Sequence, residues 1–168
     1  MLEEQDYVLS ELSDRVLLIG GYGVGNVGDE AMLPGLIKNM SSDISKLSVT
    51  SHSPPDTYDL HNDHLPSETH FNSLSVSPWR APKLLANHDH IVVGGGGIFS
   101  DYMGPYASKI PLFMLTARTL GKPLYWTAVG VYPSTPPMTL NLLRAAMRRS
   151  ESVTVRDEIS KHTLTNLG

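Results

Sequence analysis

The segment 16–40 constrains the fold of this chain more than any other part of it. Its apolar run, residues 16–19, predicts a buried strand, and the glycine-rich turn 20–28 follows directly. Asp29 and Glu30 then begin a segment with the pattern of a helix. A strand, a glycine turn and a helix N-terminus in this order form the anion- or sugar-binding corner of many α/β proteins.

Gly23, Gly25 and Gly28 have the spacing of a dinucleotide-binding fingerprint, but two features argue against one. The fingerprint needs an acidic residue about 20 residues further on to bind the ribose. The predicted second strand, residues 46–51, ends in a Ser-His-Ser sequence instead. The two carboxylates at the start of the helix would also repel a pyrophosphate. They would compete with it for the backbone N–H groups of the turn and the helix. We therefore expect the turn to bind a ligand other than NAD.

Composition narrows the class of protein. The 168 residues suit one domain, and a hydrophobic content of 40% supports an ordinary core. A net charge of −4 without a long basic block lacks the signature of nucleic-acid binding, and the absence of cysteine excludes disulfides and Cys-based zinc sites. The acidic N-terminus is no secretory signal, and no apolar run approaches the roughly 18 residues of a membrane span. We expect a soluble cytoplasmic protein without a transmembrane segment.

Strand and helix patterns alternate along the rest of the chain. Further strands are predicted at residues 46–51, at Leu74 and Val76, and at residues 90–93, 124–131 and 152–155. Helices are predicted at residues 79–88, 110–120 and 139–149, and a last helix is predicted after Asp157, which can serve as its N-cap. The polar stretch 52–70 is predicted as a loop with at most one helical turn. Strands separated by helices predict an α/β fold: a doubly wound, mostly parallel, Rossmann-like sheet with helices on both faces.

Two glycine segments are expected to form the walls of one site. In the common doubly wound order, the first and fourth strands are neighbours at the switch point where such sheets bind ligands. The turn 20–28 follows the first strand, and the run Gly94–Gly97 follows the fourth. The residues that we predict to bind ligand lie in these walls and beyond them: Gly25, Asn26, Gly28, Asp29, Glu30, Gly95, Gly96, Gly97, Asp101 and Arg156.

Asn26 and Asp29 carry the useful side-chain chemistry of the first wall. Asn26 can donate and accept hydrogen bonds, and Asp29 can accept from a sugar hydroxyl or act as a base. Asp29 is therefore the candidate catalytic residue, and no other is identified. The structural alternatives are a left-handed turn conformation for Asn26 and a helix-capping role for Asp29, which does not exclude ligand binding.

The second wall is backbone rather than side chain. Four consecutive glycines allow close approach of a ligand, and their N–H groups can form an anion-binding nest. A tight packing corner is the alternative, but four glycines exceed what a corner needs. Asp101 either binds a ligand hydroxyl or caps the next helix. Arg156, at a strand end, can pair with a ligand carboxylate or phosphate, or with a neighbouring acid.

A polar cluster raises the question of a metal. It comprises Asp59, His61, Asp63 and His64, all within a stretch of six residues. Residues of these types do ligate zinc. A solvated loop is the interpretation that we favour for such a stretch, and we predict no metal site.

Four motifs together resemble the N-terminal half of the polysaccharide pyruvyl transferase family. They are GYGVGNVGDEAML at residues 21–33, VVGGGGIFSD at residues 92–101, Gly130 with Pro133, and SVTVRDEIS at residues 152–160. Their order and spacing also match, over residues 16–168, and the first motif is the most specific. Tyr132 departs from the pattern, because a second glycine is expected there.

The resemblance implies a GT-B-like two-domain fold. Residues 16–168 would be its Rossmann-like N-terminal domain, preceded by an extension of residues 1–15, and would form one wall of the interdomain cleft. Members of the family are about twice this length, and their phosphoenolpyruvate-binding Arg and catalytic His lie in the second half. That domain is absent from this sequence, so we expect the chain alone to be incomplete and inactive.

The implied reaction is transfer of a pyruvyl group from phosphoenolpyruvate to a hydroxyl pair of a sugar. The acceptor partner would be a glycan of the cell envelope or its lipid-linked precursor, and no metal or organic cofactor is implied. Two other functions remain open at this point. One is a nucleotide-sugar glycosyltransferase half with the same fold, and the other is a non-catalytic module that binds sugars or docks partners.

Overall fold

The computed structural model describes residues 9–40, 42–61, 63, 69–73, 81–99 and 106–166. Its strands are β1 (Asp14–Ile19), β2 (Ile44–Ser51), β3 (His70–Ser73), β4 (His90–Phe99), β5 (Leu124–Val131) and β6 (Ser152–Val155). Its helices are α1 (Val27–Lys38), α2 (Pro54–His61), α3 (Ala81–Ala86), α4 (Tyr106–Thr119), α5 (Pro137–Met147) and α6 (Glu158–Thr165). None of the helices described has the length and apolar character needed to cross a bilayer.

The strands form one parallel sheet in the order β3-β2-β1-β4-β5-β6. This is the Rossmann order, so the predicted doubly wound fold is confirmed. β1 and β4 are neighbours, with Val16 opposite His90 and Leu18 opposite Val92. Because the winding direction reverses between them, their carboxyl ends border a crevice that no crossover helix covers.

The central strands are buried on both faces. In β1, Leu17 and Ile19 pack into the core layer of α4 and α5, whereas Val16 and Leu18 pack into the layer of α1. Strands buried on both sides are expected when helices cover both faces of a parallel sheet. α1 therefore lies on the opposite face of the sheet from α4 and α5.

One element differs from its prediction in a way that matters for the site. The run Gly94–Gly97 is not a loop after β4, because the strand continues through it to Phe99. The ladder with β5 supplies the reason: Gly94 lies opposite Thr127 and Gly96 opposite Val129, with an irregularity in register before Phe99. The glycines thus form a distorted strand in which Gly95 and Gly96 have φ values of 81° and 89°.

Other predicted boundaries also shift. The stretch 52–70 contains more helix than the single predicted turn, because α2 extends over eight residues and begins with two prolines directly after Ser53. Proline favours the first turn of a helix, and Ser53 Oγ donates to Asp56 Oδ2 at 2.6 Å. The third strand is found at His70–Ser73, and the predicted one at Leu74 and Val76 lies outside the described residues.

Asp157 caps α6, as the sequence predicts, and also joins the helix to the sheet. Its Oδ1 accepts from the Ser160 N–H at 2.8 Å and from Ser160 Oγ at 2.7 Å. Ser160 Oγ in turn accepts from the Val131 N–H at 2.9 Å. The cap therefore orders the serine that satisfies a buried amide at the end of β5.

We expect Asp157→Ala to lower the free energy of unfolding by about 1 kcal/mol or more, because it removes a helix cap and leaves Ser160 without its acceptor. Urea denaturation of the purified chain measures this loss. Asp157→Asn is the control, since it keeps an acceptor oxygen and should retain most of the stability. Equal stability of the alanine and asparagine variants would contradict the role of the cap.

Candidate functional site

A cavity of about 600 Å³ opens at the carboxyl ends of the strands around the switch point. Its described lining residues come from the turn after β1, the start of α1, the end of β4, and the segments after β5 and β6: Gly21, Val24, Asn26, Gly28, Asp29, Met32, Gly96, Gly97, Ile98, Tyr132, Ser134 and Arg156. Six of the predicted ligand-binding residues are among them. The two glycine segments do meet in one site, and predicted Asp101 lies outside the described residues.

Asn26 is the N-cap of α1. Its Oδ1 accepts from the Gly28 N–H at 3.0 Å, and its φ of −80° is extended rather than left-handed. The capping alternative proposed for Asp29 is therefore wrong, and so is the left-handed conformation proposed for Asn26. Because Asn26 satisfies the helix end, the Asp29 side chain is not needed there and turns towards β4.

The Asp29 carboxylate lies against bare backbone from both walls. It is 8% exposed, and a methyl group built on Gly96 would overlap its Oδ1. A Cβ on Gly21 would lie 3.0 Å from Oδ2. The Gly97 N–H donates a hydrogen bond to the carboxylate. Glycine at positions 21 and 96 therefore makes room for this acid.

Burial raises the pKa of the Asp29 carboxyl above its ordinary value, because the charged form loses its hydration. The Gly97 N–H and the positive charge of Arg156 oppose that rise, and the neighbouring charge of Glu30 adds to it. A carboxylate with a raised pKa is a stronger base than one in water. A perturbed acid that lines a cleft is also a marker of functional sites.

Glu30 has a different role from the one predicted. It is 6% exposed and is not among the residues lining the cavity. Its carboxylate accepts from the Gly23 N–H at 2.6 Å and contacts His61 Nε2 at 2.9 Å. Glu30 therefore fixes the glycine turn instead of binding ligand. Because Glu30 already accepts the hydrogen bond of the Gly23 N–H, this amide is not available to a pyrophosphate in the turn. The absence of NAD binding stays a prediction.

His61 belongs to the polar cluster that raised the question of a metal. α2 turns it inward, to 5% exposure against Glu30, whereas Asp59 and Asp63 are exposed and His64 lies outside the described residues. In the part of the chain that is described, no three metal-binding side chains come together. The favoured interpretation of the cluster as a solvated loop is wrong for His61.

Tyr22 packs behind the wall of the cavity, a role that sequence reasoning missed. It is fully buried, and its hydroxyl donates to the Gly94 carbonyl at 3.0 Å. The same hydroxyl would lie 3.0 Å from a Cβ on Gly95, so this glycine admits Tyr22 rather than lining the cavity. Gly25, with a φ of 75°, faces open space and shapes the turn. No local pattern distinguishes Tyr22 from an exposed turn tyrosine.

Arg156 pairs with a neighbouring acid, which is one of its two predicted roles, and its binding of a ligand anion stays a prediction. Its Nε donates to Asp157 Oδ2 at 3.0 Å, and its side chain also lines the cavity. Its Nη2 donates to the Tyr132 hydroxyl at 2.9 Å, and its guanidinium lies 5.5 Å from the centre of the Tyr132 ring. Tyr132, which stands where the resemblance leads one to expect glycine, therefore positions the cation and packs over Gly97.

We expect Gly96→Ala to destabilise the chain by roughly 1–3 kcal/mol, because alanine is strained at this positive φ and its methyl group would displace Asp29. The matched control is Gly35→Ala in α1, where a Cβ meets open space. That change should stabilise the chain by about 0.5–1 kcal/mol. Thermal and urea denaturation of both variants measure the difference, and an equal effect at the two positions would contradict the packing of Asp29 against Gly96.

A crystal structure of shikimate dehydrogenase from Mycobacterium tuberculosis is similar to this chain, with a TM-score of 0.48 and 15% sequence identity. The match covers 88% of this chain and 49% of the dehydrogenase, so the chain spans about half the length of that protein. No curated protein matches the chain.

A family model gives the second finding. Residues 26–168 match the model of the polysaccharide pyruvyl transferases. The match begins at Asn26, the N-cap of α1, and includes the end of the first wall, the whole of the second wall and Arg156. This confirms the resemblance carried by the sequence motifs: the chain belongs to the polysaccharide pyruvyl transferase family.

Proposed function

We propose that this chain takes part in transfer of a pyruvyl group from phosphoenolpyruvate to a hydroxyl pair of a sugar, and that its cleft binds the acceptor. The acceptor would be a cell-surface polysaccharide or its precursor. Family membership supports the reaction class. Within this chain, the observation that carries the proposal is the Asp29 carboxylate, which is buried against glycine backbone and lines the cavity.

The chemistry sets what the cleft must supply. Both sugar oxygens form bonds to C2 of the enolpyruvyl group, and the bond from C2 to the phosphate oxygen breaks. One hydroxyl proton ends on C3, which becomes a methyl group, and the other leaves with the phosphate. The reaction therefore needs a base for the hydroxyls, an acid for C3 and cations for the donor.

Asp29 is the base in this proposal. Its raised pKa favours acceptance of a hydroxyl proton, and its carboxylate lines the cavity that a sugar would enter. Asn26 lines the same cavity, and its Oδ1 already accepts the capping hydrogen bond from the Gly28 N–H. Its amide N–H groups are then suited to donate to a second sugar oxygen and to orient the diol.

Arg156 is suited to hold an anionic group of the donor. Two of the five N–H donors of a guanidinium are engaged, by Asp157 and by Tyr132. It is the one cation among the described residues that line the cavity. Phosphoenolpyruvate carries both a carboxylate and a phosphate, so we propose that a second domain supplies a further cation and the acid for C3.

The test is Asp29→Asn in the longest natural reading frame that contains this chain. We expect phosphate release from phosphoenolpyruvate, in the presence of an acceptor glycan, to fall about 10²-fold or more, because a general base typically contributes that much. Asn26→Ala should lower the rate less. The 168-residue chain alone should release no phosphate, because the described residues that line its cleft supply one cation, Arg156.

Stability supplies the control. The folded-state pKa of Asp29 is raised, so the fold loses stability as the pH rises above the unfolded value of 3.8, and the full penalty is reached above the folded-state value. Asp29→Asn should therefore be at least as stable as the parent chain at neutral pH, with a smaller advantage in acid. A destabilised variant with unchanged turnover would make Asp29 structural, and use of a nucleotide sugar in place of phosphoenolpyruvate would overturn the donor assignment.

A further inference from the structure

The charge of this chain is unevenly distributed. Between Asp101 and Glu151 the sequence contains no acidic residue, although the whole chain has a net charge of −4. The same stretch contains six basic residues, which lie in α4, in α5 or within three residues of their C-terminal ends: Lys109, Arg118, Lys122, Arg144, Arg148 and Arg149. The positive charge is therefore concentrated on two helices.

The two helices lie side by side on one face of the sheet. Arg118 of α4 donates through Nη1 to the carbonyl of Ala145 in α5 at 2.8 Å. Met114 and Leu143, one from each helix, are fully buried in the core layer beneath them. With that side of each helix packed on the sheet, the outer sides of α4 and α5 form a shared surface.

Apolar side chains are exposed on the same surface. Leu112 is 51% exposed, Leu120 is 44% exposed and Met138 is 66% exposed. Single exposed apolar residues are common and need no explanation. Here three of them occur on two adjacent helices or directly after one, together with exposed basic residues. We call this set the basic-apolar face: Lys109, Leu112, Leu120, Met138, Arg148 and Arg149.

Acidic groups do little to neutralise this face. The ion pairs among the described residues join other residues: Arg15 with Asp89, His61 with Glu30, Arg156 with Asp157, and Lys161 with Glu158. The nearest acid along the sequence is Glu151, two residues after Arg149. Lys122 lies close enough to Asp89 to lower the pKa of that carboxyl, but Asp89 is already bound by Arg15.

We propose that the basic-apolar face docks on the surface of a membrane that contains anionic phospholipids. Basic side chains attract anionic headgroups, and exposed apolar side chains enter the interface between headgroups and acyl chains. A single-stranded nucleic acid would instead call for aromatic stacking platforms, and the apolar members of this face are aliphatic. The face flanks the sheet, whereas the cavity opens at the strand ends, so a docked chain keeps its cleft accessible.

Co-sedimentation of the purified chain with vesicles tests this docking. We expect binding to vesicles of equal parts phosphatidylcholine and phosphatidylglycerol, no binding to phosphatidylcholine alone, and release at high salt. Arg148→Glu with Arg149→Glu should weaken binding at least about tenfold, because each basic residue near the surface contributes roughly a fivefold factor. Leu112→Ser with Leu120→Ser should weaken it without removing the salt dependence.

A charge-matched control distinguishes the contribution of the basic-apolar face to vesicle binding from the contribution of net charge. Lys38→Glu with Lys161→Glu makes the same change in net charge on α1 and α6, and it should leave most of the binding intact. Circular dichroism verifies that every variant is folded. Vesicle binding is measured without any assay of pyruvyl transfer, so this result does not depend on the proposed function. Failure to sediment with the mixed vesicles at low salt would overturn the proposal. So would equal losses in the two charge-reversal pairs, or binding to polyuridylate RNA in preference to vesicles.

Discussion

The packing of the Asp29 carboxylate against the backbone of β4 is the interaction on which the rest of the site depends. It requires β1 and β4 to be neighbours, because only then do the first helix and the distorted end of β4 meet. It also requires glycine at position 96, where any side chain would occupy the place of the acid. The switch point of the sheet thus becomes a cleft with a buried acid in its wall.

Two adjacent carboxylates have separate roles because their surroundings differ. Asp29 faces glycine backbone and the cavity, and burial raises its pKa. Glu30 points to the other side, where Gly23 and His61 engage it. One acid is therefore available to a ligand, and the other stabilises the turn that shapes the cleft. Neighbouring acids in different environments commonly divide their work in this way.

The sequence was sufficient to predict the fold, because alternating strand and helix patterns leave few topologies for a parallel sheet. It also placed Asn26, Asp29, Gly96 and Arg156 in one site. It was insufficient where distant contacts decide the local structure. Glycine has little preference for strands, so the continuation of β4 depends on pairing with β5. The contact between Glu30 and His61 joins residues 31 positions apart, and no local pattern indicates it.

The glycine-lined wall buries Asp29 at the cleft and makes its carboxyl a stronger base. Carbon-detected NMR titration of the side-chain carboxyl groups tests this directly, with the Asp29→Asn variant used to assign the resonance. We expect the Asp29 signal to titrate above the ordinary value of 3.8 for aspartate, and to shift when an acceptor sugar is added. Titration at or below that value, with no response to any sugar, would contradict the account.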